Sequence, residues 1–192
     1  PPRSTLFPYT TLFRSNLLFR CVQLVRKSQR RKLNFAFFCN ISQFTLADTS
    51  FFPEFIEFMQ DNTELAENLI FEFGHADLLA QDRYITSNLA QLGDLGFRFS
   101  VDRVVDLNLD VDALIARSIS FIKVGATTAL DTLENSDEAL QFYRIKHALE
   151  RAGIQLIVEK IEKEEQLVDL LDYGINYGQG YLFGTPRLSR DI

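Results

Sequence analysis

The 192-residue chain predicts an α/β fold built on a parallel sheet. Three observations predict it: six short apolar segments with strand character, helix-period segments between them, and a polar residue near the C-terminal end of each strand. Strand–helix–strand alternation implies parallel strands joined by right-handed crossovers. Periodicity alone admits both an open doubly wound sheet and a closed barrel.

In chain order, Asn16 is placed to cap a helix with Leu18, Cys21, Val22 and Val25 on its apolar face. Its basic end, Arg26 to Lys32, reads as a solvated terminus favoured by the helix dipole rather than as a nucleic-acid patch. The first strand is Asn34 to Asn40, and a helix with Phe52, Phe55, Ile56 and Met59 on one face follows it. Leu69 to Phe73 is the second strand; a long helix from about Asp77 to Leu95 stops at Gly96. Arg98 to Asp102, Ser120 to Val124 and Gln155 to Glu159 are strands, and a sixth begins at Ile175 to Tyr177. Helices over Val111 to Arg117, Ser136 to Ala152 and Glu164 to Tyr173 separate them, the second burying Phe142, Ile145 and Leu149.

Composition excludes several classes. Hydrophobic content of 46% argues against disorder. A net charge of −6 makes DNA a poor partner. No apolar run approaches the roughly 20 residues of a membrane span. Cys21 and Cys39 lie on apolar patterns and read as buried thiols in a reducing cytoplasm.

Pro1 to Ser15 read differently. PPRSTLFPYTTLFRS translates back, codon by codon, into a string that resembles a common short-read sequencing adapter. On this reading residues 1–15 are not native, and the domain runs over residues 16–192. Without Arg3 and Arg14 the net charge of −6 becomes −8.

The strand-end polar residues decide between sheet and barrel. Asn40, Glu72, Asp102, Lys123, Glu159 and Gln179 each lie at, or one residue past, the end of a different strand. Strands buried on both faces are otherwise almost wholly apolar. An open sheet gathers ligand groups at one switch point, whereas a barrel carries its site at the C-terminal ends of many strands. Asn40, Glu72 and Asp102 offer hard oxygen donors to a divalent cation. Lys123 complements phosphate charge or a developing oxyanion.

These segments resemble the EAL family, the cyclic di-GMP phosphodiesterases and their non-catalytic relatives. Phe37-Phe38-Cys39-Asn40-Ile41-Ser42 is similar to the family's S-V-N-L-S, and Leu69 to His75 to its L-x-L-E-I-T-E. Phe99 to Val104 sits where the family has L-A-L-D-D-F-G, and Phe121 to Gly125 where it has L-K-I-D. Ile157 to Gln166 matches V-A-E-G-V-E-T-E-E-Q, and Gly178 to Gly184 matches G-Q-G-Y-L-F-G. The resemblance implies a TIM-like (β/α)8 barrel of EAL type with its first strand antiparallel, here lacking its first strands and the E-x-L motif. It implies two divalent metals that activate a water to open one phosphodiester of cyclic di-GMP. Asn40, Glu72 and Asp102 would hold the first metal, Mg2+ or Mn2+. Lys123 and Glu159 would assist the water, and Gln179 would support the site.

The departures point another way. Arg103 stands where the second metal's Asp belongs, His75 replaces the last Glu of E-x-T-E, and Gly125 replaces the Asp of K-I-D. A guanidinium pointing into the site repels a divalent ion by about 8 kcal/mol at roughly 4 Å and an effective dielectric near 20. It would instead grip a phosphate through a bidentate contact, with Asp102, Lys123 and Gln179 as further ligand contacts. Arg103 could equally turn to solvent or pair with Asp106. The favoured expectation is a degenerate EAL domain that binds cyclic di-GMP without efficient hydrolysis. An active metal-dependent cyclic di-GMP phosphodiesterase with a relocated ligand set and a non-binding protein-interaction scaffold are the alternatives. The pattern looks most like an alphaproteobacterial subgroup of flagellar regulators. That implies a cytoplasmic domain, a protein partner in a signalling or flagellar complex, an EAL–EAL dimer, and room for a membrane tether in the parent protein. A barrel short of two strands is expected to have open edges and to expose Phe35, Phe37 and Phe99.

Overall fold

A computed structural model describes residues 9–33, 35–76 and 82–185. Six strands follow one another in chain order, β1 (Phe37–Asn40), β2 (Leu69–Gly74), β3 (Arg98–Val104), β4 (Ile119–Gly125), β5 (Gln155–Glu159) and β6 (Tyr177–Gly178). The pairs β1/β2, β4/β5 and β5/β6 run parallel, with helices in the connections. The chain divides inside β3 into two compact units, one ending at Phe99 and the other beginning at Ser100.

The first unit opens with α1 (Tyr9–Arg30). Asn16 lies inside this helix and does not cap it. Cys21, Val22, Val25 and Ser28 are buried along one face, and Leu18 is half-buried at its edge. The basic end is tied to the chain before β2. Arg26 bonds Asn62 and lies 3.8 Å from Glu64, while Gln29 donates to the Glu64 carbonyl at 2.9 Å and to Asn68 at 3.1 Å. Asn68, itself buried, donates to the Phe35 carbonyl, and its own carbonyl accepts from Phe37 N, which sets where β1 joins β2.

Beyond β1, Ser42 caps the short α2 (Gln43–Leu46). Next comes α3 (Phe52–Gln60), which buries Phe52, Phe55 and Met59 at helical spacing, with Ile56 half-buried. Asp82 caps α4 (Arg83–Asp94) by accepting from Tyr84 N and Ile85 N. The helix expected from about Asp77 therefore begins only at Arg83, because Asp82 is extended (φ −78°, ψ 121°); residues 77–81 lie outside the described residues. Gly96 ends this segment with φ +89°, and Phe97 N returns to the Leu92 carbonyl. The core is a run of rings: Phe52 and Phe71 contact Phe55, Phe97 and Phe99 contact Phe71, and Phe73 contacts Phe99. Phe99 is therefore fully buried, against the expectation that it would be exposed. Phe35 is exposed as expected, and Phe37 is half-buried.

The second unit holds α5 (Val111–Ala116), α6 (Ala126–Glu134), α7 (Ser136–Arg151) and α8 (Glu164–Asp172). α7 buries Phe142, Ile145 and Leu149. α6 was not expected. Its three threonines mask the periodicity, yet Ala126, Ala129 and Leu133 form a buried face, and Thr132 bonds back to the Thr128 carbonyl at 2.8 Å. Among the described residues no helix is long and apolar enough to cross a membrane.

Phe71 is 1% exposed and touches three other rings. Phe71→Ala is expected to cost about 3–5 kcal/mol. Chemical denaturation should show the midpoint fall with an unchanged slope.

Candidate functional site

The first unit contributes Asn40 and Glu72, register partners on β1 and β2. Asn40 is the last residue of its strand and exposed. Glu72 is buried at 6%, two residues before β2 ends, so the strand runs further than the sequence suggested. His75 is half-buried just past it. Beside them, the Cys39 thiol is pushed well up by its hydrogen bond with Cys21, by burial and by the Glu72 charge. Both cysteines are free and buried, as expected.

The second unit brings Asp102, Lys123, Glu159 and Gln179 together. Asp102 and Lys123 are each the fifth residue of a seven-residue strand, β3 and β4. Glu159 ends β5, and Gln179 follows β6. Lys123 is 2% exposed and donates to Gln179 Oε1 at 3.2 Å. Burial pushes the Glu159 carboxyl above the ordinary carboxylate range. The negative charge of Asp102 and a hydrogen bond to it push the same way, and Lys160 and Lys123 oppose them. Glu159 Oε1 is buried without a hydrogen-bond partner. A carboxyl that loses solvent beside a second carboxylate holds its proton to higher pH.

Gln179 is held by backbone. Its N–H donates to the Val158 carbonyl at 2.8 Å, and its carbonyl accepts from Ile161 N at 3.1 Å. Gly180 makes this crossing feasible, because a Cβ there would lie inside the Ile161 backbone; at Gly178 it would meet Ile161 Cδ1 at 2.8 Å. The G-Q-G motif is thus a close approach that carries Gln179 to Lys123. Gly125 has no such need. Its dihedrals are ordinary (φ −63°, ψ 141°), and a Cβ would meet only Thr128 Oγ1 at 3.7 Å. An aspartate would fit there, beside its register partner Glu159.

Arg103 pairs with Asp102, not with Asp106. Its Nε lies 3.6 Å from Asp102 Oδ2, and its backbone N–H donates to Asp102 Oδ1 at 2.9 Å. Asp106 accepts from Asn108 N instead. The Arg103 side chain is 68% exposed. One residue escaped the sequence reading. Lys160 follows Glu159, its Nζ lies 3.9 Å from Glu159 Oε1, and its side chain is 69% exposed. The signal was present in the aligned motif, where the family has Gly and this chain has Lys. The backbone explains the family's choice, since Lys160 has φ +60°.

A metal fits this half poorly. Among the described residues no group of three or more His, Cys, Asp or Glu side chains is arranged to hold one. Asp102 and Glu159 already face their own neighbouring cations. The expected set Asn40, Glu72 and Asp102 divides between the units, the first two lying together on β1 and β2.

Comparison with known proteins places the fold in a family. The EAL domain matches residues 8–186, so the chain belongs to the EAL domain family; the match begins inside the segment Pro1–Ser15 read above as foreign. The chain is 26% identical over 119 residues to the cyclic di-GMP phosphodiesterase RocR of Pseudomonas aeruginosa, which covers 62% of this chain and 30% of that protein. The PaMucR phosphodiesterase in complex with c-di-GMP superposes with a TM-score of 0.74 at 19% identity, covering 94% of this chain and 73% of the other. The FimX EAL domain of Xanthomonas citri in complex with c-diGMP gives 0.72 at 15%, covering 95% and 72%. The chain spans less than a third of the length of the curated relatives it matches.

Two outcomes follow. The folded-state pKa of Glu159 lies above its unfolded value, so its contribution to stability is complete below the ordinary carboxylate range and is lost as pH rises through the raised value. Glu159→Gln should therefore gain thermal stability over the parent as pH rises from about 5 to about 8, read as a widening Tm difference. Gly180→Ala is expected to cost about 1–3 kcal/mol by overpacking, checked by its unfolding midpoint.

Proposed function

We propose that this chain is a degenerate EAL domain that binds cyclic di-GMP as a signal without efficient hydrolysis. The observation that carries the reading is Arg103 ion-paired to Asp102, at the position where the family resemblance puts a carboxylate for a second metal. The exposed guanidinium is a bidentate donor for a phosphate of the dinucleotide. Lys123 neutralises charge from within the protein, and Gln179 orients Lys123. Relatives that are cyclic di-GMP phosphodiesterases, and EAL structures solved with c-di-GMP, support this choice of ligand. Membership of the alphaproteobacterial flagellar-regulator subgroup, with a protein partner that reads the bound state, belongs to the same proposal.

A second reading is favoured by one observation. Asp102, Lys123, Glu159 and Gln179 remain clustered in the second unit. On this reading Lys123 and Glu159 would assist the attacking water of a metal-dependent phosphodiesterase, as the family resemblance implies.

Calorimetric titration of cyclic di-GMP, with and without magnesium, separates the two when turnover is followed on the same samples. Binding without turnover is the expected result, and Arg103→Ala should weaken it by about 10- to 100-fold, a charge-assisted contact of roughly 1.5–3 kcal/mol. Hydrolysis dependent on magnesium or manganese would establish the enzyme instead.

A further inference from the structure

Two site carboxylates in the second unit, Asp102 and Glu159, are each followed directly by a cationic residue, Arg103 and Lys160. Both cationic residues have left-handed backbone, φ +56° and +60°, a conformation rare for side chains of this size. Both lie against the preceding carboxylate, at 3.6 Å and 3.9 Å, and both side chains are about two-thirds exposed. The arrangement therefore occurs twice, on two strands. Lys123, buried, adds a third cation whose charge acts on Glu159. Three cations thus stand against two carboxylates in formal charge, and the cluster is positive before any metal arrives. Glu159 Oε1, buried and without a hydrogen-bond partner, has the Lys160 ammonium as its near countercharge.

We infer that Arg103 and Lys160 are tethered replacements for a divalent ion, so that the Asp102–Glu159 pair excludes metal and the two exposed cations form a clamp for a phosphodiester anion. A bound divalent ion would add two charges to a cluster that is already positive, whereas a phosphodiester removes one. Arg103 supplies a planar fork and Lys160 a point charge, a combination suited to an oxygen pair and a single oxygen of one anionic group. The clamp extends the receptor reading above and rests on it for the identity of the ligand. The exclusion of metal does not.

The test uses the whole chain and the double variant Arg103→Gly/Lys160→Gly. Glycine relieves left-handed backbone, so folding should be retained. Mn2+ is titrated and followed by electron paramagnetic resonance. The expected result is a Mn2+ affinity at least tenfold tighter in the variant than in the parent. Arg103→Asn/Lys160→Asn should show the same gain, because asparagine tolerates the backbone and carries no charge, while Lys160→Arg should not. Equal Mn2+ affinity in parent and double variant would overturn the inference. Cyclic di-GMP binding is then measured in EDTA. The parent should be unaffected by the chelator, and the glycine variant should lose at least tenfold and recover in part with Mn2+. Parent binding that collapses in EDTA would also overturn the inference. If the parent bound no cyclic di-GMP under any condition, the receptor reading would fall, and the Mn2+ comparison would still decide whether the cations exclude metal.

Discussion

The second unit is organised around a lysine buried at 2% exposure. An ammonium removed from water is tolerated only where polar partners replace its hydration. Gln179 is one such partner, at 3.2 Å, and the charge of Lys123 also acts on Glu159. That requirement reaches far along the chain. Gln179 has to arrive from β6, a strand of only two residues, and it is steered there by the backbone of Val158 and Ile161. The glycines on either side are small because Ile161 runs directly past them. A charge at the middle of one strand thus dictates glycine positions 55 and 57 residues later in sequence.

The carboxylates obey the complementary constraint. Glu159 sits at the end of a strand buried at four of its five positions, within hydrogen-bonding reach of Asp102. Two carboxylates so placed do not both ionise freely, and burial enlarges the penalty. In a metal-loaded site the ion would remove that conflict. Here the nearest relief comes from residues adjacent in sequence, Arg103 and Lys160, whose left-handed backbone turns them toward the carboxylate just before them.

Much of this was legible in the sequence. The strands Leu69 to Phe73, Arg98 to Asp102, Ser120 to Val124 and Gln155 to Glu159 announce themselves as apolar runs, and the structure extends the first three by one or more residues. The clustering of Asp102, Lys123, Glu159 and Gln179 followed from their shared placement near strand ends. Other features were hidden for physical reasons. α6 carries its face on alanines among threonines, a composition with weak helix propensity. A barrel short of strands predicts an exposed Phe99, yet the residue is fully buried. Its burial comes from Phe71 and Phe73, within its own unit. A lysine after a strand reads as a solvated residue; at Lys160 the family's Gly is the sequence signal against that reading, and the left-handed backbone gives its physical reason.

That dihedral angle carries the last step. Left-handed backbone costs a residue with a Cβ about 1–2 kcal/mol relative to glycine, and the cost recurs at Arg103 and at Lys160. Glycine or asparagine would relieve it at either position. The exposed salt bridges do not repay it, since pairs of this kind contribute roughly 0–1 kcal/mol. Stability alone therefore argues against both residues. A chain that keeps two strained cations beside two carboxylates gains something other than stability from them. The feature they share is an exposed positive group held beside a carboxylate, which is what the proposed phosphodiester clamp requires.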